Sequence, residues 1–91
     1  MNINVKKEPV GLVTKPQFDM NIFEKGAAIK VVAVDANKTN LHYGFSENCL
    51  ITRATPLAIE IGYCDGDGDI QAKEIQVGEV VNGYVDITIL K

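Results

Sequence analysis

The chain has 91 residues, 46% of them hydrophobic and 23% charged, with a formal net charge of −3. That is one domain with one core, large enough to fold without a metal or a disulfide. The acidic balance argues against a phosphate backbone as partner, no apolar run approaches the roughly 18 residues of a membrane span, and two cysteines are too few for a structural zinc site.

The charge is uneven. Residues 1–30 carry five lysines against three acids, and residues 61–91 carry two lysines against six acids. A partner with an acidic face would suit the first part. The first twenty residues include Lys6, Lys7, Glu8, Pro9, Lys15 and Pro16 and hold no apolar run of secretory length. With only Cys49 and Cys64 in the chain, this predicts a cytoplasmic protein with reduced thiols; a disulfide between the two is the alternative.

Residues 1–22 are expected to form an irregular N-terminal arm, with a short strand at Val10–Val13, and residues 23–91 the β-domain. In PQFDMNIFEKG (16–26), Phe18 and Ile22 are four apart, Pro16 precedes and Gly26 follows. This fits a short helix, an edge strand or an irregular lead-in.

From residue 27 the pattern is β. Ala28 to Asp35 predicts a strand covered on both sides, because Val31 to Val34 is apolar throughout. ANKTN (36–40) is a turn cluster. Leu41 to Phe45 alternates and predicts a strand with Leu41, Tyr43 and Phe45 inward; Ser46-Glu47-Asn48 predicts a bulge or turn, and Cys49 to Thr52 a further strand. Pro56 breaks it.

Leu57, Ile59, Ile61 and Tyr63 fall on one face of the next strand, with Ala58, Glu60, Gly62 and Cys64 on the other. Ile70 to Val77 predicts a strand whose apolar phase slips, which points to a bulge at Lys73–Glu74. Gly44 and Gly62 are further candidates for bends. Gly78 and Asn82-Gly83 are turn signals, and Tyr84 to Leu90 predicts the last strand, with Val85, Ile87 and Ile89 inward and Tyr84 on the surface.

Short strands at this spacing predict an all-β fold: a small single-domain barrel or curved sheet of five to six antiparallel strands. The run from FEKGAAIKVVAV through LHYGF to TPLAIEIGYCDGDGDIQAKEIQV resembles the layout of SH3-like β-barrel modules. The resemblance covers about residues 23–90 and carries no specific motif. The nucleic-acid-binding KOW version wants more basic residues and a glycine soon after the first strand, and ANKTN has no glycine. The chain has no tryptophan, and so lacks the aromatic grip of proline-binding SH3 domains. The resemblance therefore implies a fold and no activity.

YCDGDGDI (63–70) looks most like chemistry. As an EF-hand loop starting at Asp65 it fails, because position 6 is Ile70 and position 12 is Gln76. A hairpin tip with a type I′ turn at Asp65-Gly66 or Asp67-Gly68 fits better. Asp65, Asp67 and Asp69 then form at most a weak, incidental cation site. His42 and Cys49 suggest a nucleophile and base, but only Arg53 is near in sequence to stabilise a thiolate. Glu60 and Asp86 lie on outward faces. Tyr43, Phe45 and Tyr63 share the parity of aliphatic residues and read as core, leaving no base-stacking platform.

No enzyme and no cofactor are expected. The expected function is a non-catalytic binding module, acting on another protein or on another copy of itself. The alternative is a nucleic-acid-binding barrel, SH3-like or OB-like.

Overall fold

The structure, a computed structural model, describes residues 16–90. The proposed strand at Val10–Val13 lies outside them. Five antiparallel strands form one sheet: β1 (Ala28–Ala33), β2 (Ser46–Ala54), β3 (Ala58–Cys64), β4 (Ile70–Gln76) and β5 (Val85–Ile89). A five-residue helix, α1 (Val77–Val81), joins β4 to β5. The spatial order is β4-β3-β2-β1-β5, so β4 and β5 are the two edges and the sheet does not close on itself. The all-β expectation and the strand number hold.

One face of this sheet carries the core. Ile29 and Val31 of β1, Ile51 of β2, Ile59 and Ile61 of β3 and Ile75 of β4 are each at most 1% exposed. Alternation places them together, since Ile51 faces Ile61 and Ile59 faces Ile75. Each such side chain contributes about 1.5–3 kcal/mol by leaving water. Phe45 is fully buried among them, edge-on to Tyr63 at 4.9 Å.

The lead-in also covers this face. Residues 16–26 form neither helix nor strand; Asp19 closes one turn by accepting from the Phe23 amide (2.8 Å) and, through its side chain, from the Asn21 amide (2.9 Å). Phe18, from the stretch expected as arm, is buried and stacks edge-on with Phe23 at 5.0 Å. Its amide donates to the Pro56 carbonyl at 2.7 Å.

Several expected details are corrected. Leu41 to Phe45 is a loop, because Gly44 sits at φ +81° and the Phe45 amide turns back to the His42 carbonyl (3.1 Å). Leu41 and Phe45 are buried as expected, but Tyr43 is 95% exposed. Ser46-Glu47-Asn48 is neither bulge nor turn; it opens β2 and pairs with Val32, Val31 and Lys30. β1 is not covered on both sides, since Lys30 on its other face is exposed and Val34 lies beyond its end, also exposed. Leu57 lies outside β3 and is exposed.

The β3–β4 ladder runs without a shift from Ala58↔Gln76 to Cys64↔Ile70, so no bulge exists at Lys73–Glu74. The shift is in β2, between Ile51 and Arg53, where Thr52 is the extra residue. Tyr84 is half-buried, precedes β5, and has the Lys38 ammonium 5.4 Å from its ring centroid.

Candidate interaction surface

The face of the sheet turned away from the core is the candidate surface. Three neighbouring strands build it. Leu50 of β2 stands opposite Gly62 of β3, which stands opposite Ala72 of β4; Cys64 stands opposite Ile70. Leu50 is 54% and Ile70 78% exposed. Gly62 has no side chain to fill the space between them. A groove of about 340 Å³ results, lined by Asn48, Leu50, Thr52, Gly62, Cys64 and Ile70.

Charged groups lie to one side. Arg53, Glu60 and Glu74 form a row across β2, β3 and β4. The Arg53 guanidinium is 3.5 Å from Glu60, the one ion pair among the described residues. The Thr52 hydroxyl, displaced by the bulge, donates to Glu60 Oε1 at 2.7 Å. Glu74 accepts from the Gln76 side-chain amide.

The hairpin tip beyond Cys64 and Ile70 is held by one aspartate. The Asp65 carboxylate accepts from the Asp67 and Asp69 amides and from the Gln71 side chain, each at 2.9 Å. These bonds, that from Gln71 foremost, hold the Asp65 carboxyl below the usual range. The turn closes from the Gly68 amide to the Asp65 carbonyl at 3.0 Å, and only Gly68 of the two tip glycines has positive φ. A type I′ turn needs positive φ at both central residues, so the tip is instead a turn over Gly66-Asp67 followed by a left-handed glycine. Asp65, Asp67 and Asp69 do not gather; among the described residues no three His, Cys, Asp or Glu side chains form a metal-holding group.

The other candidates are dispersed. Cys49 is 3% exposed on the core face, and its thiol donates to the Glu47 carbonyl at 3.5 Å. Burial, with the Glu47 charge, pushes this thiol up to about 11, which keeps it protonated and a poor nucleophile. His42 is exposed and lies edge-on to Phe45 at 5.2 Å. Cys64 is exposed on the outer face; both thiols are free. Asp86 is exposed on the outer face of β5, opposite Val32, and carries no acid–base partner in the ladder. Of the aromatics expected on strands, Phe45 and Tyr63 are core, Tyr84 is half-buried and Tyr43 is exposed on its loop.

The exposed pair Leu50 and Ile70 was missed by sequence reasoning. Ile70 gave a signal, since its parity opposes Ile75, but that mismatch reads equally as a bulge. Leu50 sits inside the apolar run Cys49-Leu50-Ile51, where parity alone does not say which residue faces out.

No protein-family model matches the chain, and the search of curated proteins finds no match. Among the described residues, no helix is long and apolar enough to cross a membrane.

Proposed function

We propose that this chain is a small non-catalytic barrel module of SH3-like layout that binds another protein through the outer sheet face around Gly62. The observation that carries this is the exposure of Leu50 and Ile70 on either side of Gly62. Large apolar side chains gathered on one face mark interaction sites more often than scattered ones do. The SH3-like layout is supported by the strand order: four strands in a meander, one helical turn, and a last strand returning beside the first. The loop after β1 also reaches toward the far edge, where the Asn40 side chain donates to the Glu74 carbonyl at 3.3 Å.

The partner's chemistry follows from what borders the groove. Glu60 and Glu74 lie on one side and the aspartate tip on the other. A segment with an aliphatic anchor and basic flanks is complementary to this; a nucleic-acid backbone is not. The raised Cys49 thiol supports a module without catalysis, and two free thiols suit a cytoplasmic setting.

The test is an amide-resolved NMR titration with a short peptide of leucines flanked by lysines, and separately with a single-stranded oligonucleotide at low salt. The peptide is expected to shift Leu50, Gly62 and Ile70, less so in Leu50→Lys and at high salt. Shifts confined to other regions, or a salt-sensitive response to the oligonucleotide instead, would replace this reading with another.

A further inference from the structure

The two edges of the sheet are treated differently. In the β3–β4 ladder the Val77 amide donates to the Leu57 carbonyl, so odd residues of β4 turn their backbone toward β3 and even ones toward the free edge. On that edge the Glu74 carbonyl is covered by Asn40. Lys73 and Gln71 lie on the core face of the same strand, and an inward charge on an edge strand blocks further pairing.

Among the described residues, the β5 edge has none of these devices. The Leu90 amide donates to the Ala28 carbonyl (3.0 Å), and the Tyr84 carbonyl accepts from Val34 (2.9 Å) and Asp35 (3.0 Å). Tyr84, Asp86, Thr88 and Leu90 therefore turn toward β1, and the amides and carbonyls of Val85, Ile87 and Ile89 turn outward. No described strand pairs with them. Their side chains are all apolar, and Ile89 is 39% exposed. The strand has no proline, lysine or bulge.

We infer that a second copy of this chain occupies this edge, pairing β5 with β5 antiparallel about a two-fold axis at Ile87. This register sets Ile87 against its own copy and Val85 against Ile89, which continues the core face from one copy to the next. Roughly six backbone hydrogen bonds form. On the outer face Asp86 meets the copy's Thr88, and no like charges stand directly opposite. Lys30 already pairs across from Thr88. Lys30 and the copy's Asp86 thus share one row, with Cα atoms about 10 Å apart, within reach of a lysine side chain. Neither residue forms an ion pair among the described residues of one chain. The two-fold makes this contact twice. The edge is separate from the groove at Gly62, so the dimer stands or falls independently of the peptide-binding reading.

Sedimentation from low-micromolar to millimolar protein, with amide hydrogen exchange at each concentration, tests the pairing. A dimer is expected, with the Ile87 and Ile89 amides gaining protection as it forms. Asp86→Lys is expected to weaken it about tenfold, and adding Lys30→Asp to restore it. Ile89→Lys, which copies the Lys73 device onto this edge, is expected to abolish it. Leu50→Lys is expected to leave it intact. A chain monomeric throughout, a dimer that leaves the Ile87 and Ile89 amides exchanging freely, or one indifferent to the charge reversal overturns the inference.

Discussion

A Cβ built on Gly62 would stand 3.1 Å from the γ-methyl of Thr52, closer than carbon atoms ordinarily pack. Thr52 is not free to withdraw, because its hydroxyl is tied to Glu60. Gly62→Ala is therefore expected to cost about 1 kcal/mol in urea denaturation. In a Thr52→Ser background, where the methyl is gone and the hydroxyl stays, the same change is expected to stabilise by about 0.5 kcal/mol through the unfolded chain. Equal effects in both backgrounds would mean that the two side chains are not coupled.

The tip should behave as a hydrogen-bonded turn. Asp65 has its carboxyl lowered by the bonds from Gln71 and the neighbouring amides. A lowered carboxyl contributes stability above its unfolded value, near pH 4, and that contribution is lost as pH falls through the lower folded value. Asp65→Asn should therefore remove part of the acid-induced fall in melting temperature below about pH 4. Gly68→Ala, at φ +85°, should cost about 1 kcal/mol. Calcium at micromolar concentration should leave the Asp65–Ile70 amide signals unmoved, and saturating shifts there would establish a metal site.

The two thiols should differ sharply in reactivity. Cys64 on the outer face should alkylate in the folded protein, while Cys49, buried and raised to about 11, should react only on unfolding. Mass spectrometry of a timed iodoacetamide reaction reads both. Cys49→Ser should destabilise by about 2 kcal/mol, the cost of a hydroxyl in an apolar site.

Glu79 works in the opposite sense to Asp65. Burial, the largest cause, raises its carboxyl; the nearby Glu74 charge adds to this and the Gln76 backbone amide offsets part of it. One of its oxygens is buried without a hydrogen-bond partner. In the unfolded chain the group ionises first, so stability should fall as pH rises from about 4 through the raised folded value, then level off. Glu79→Gln should flatten this segment of the melting curve against pH. An unchanged segment would place the carboxyl in water.

The sequence made most of the strands legible, and alternation in Ile59, Ile61 and Tyr63 was enough to assign a core face. It misread Tyr43 because a loop that buries Leu41 and Phe45 four residues apart has the same apolar parity as a strand. It placed the bulge in the wrong strand because an apolar residue on the outer face, Ile70, leaves the same trace as a slipped register. α1 is one turn long; Val77, Val80 and Val81 carry its helical spacing, too short to separate from the strand before it. The groove was not legible, since it depends on Leu50, Gly62 and Ile70 meeting across three strands.

The position of β1 between β2 and β5 sets the order in which the molecule can be completed during synthesis. β2, β3 and β4 each join a neighbour made just before them. The outward edge of β1 is different, since Ile29 waits for Ile89 and Val31 for Ile87, which leave the ribosome long afterwards. Until then β1 is paired with β2 on one side only, and its other edge stays open. Its folding is limited by a long-range closure, so it should be slow for its size.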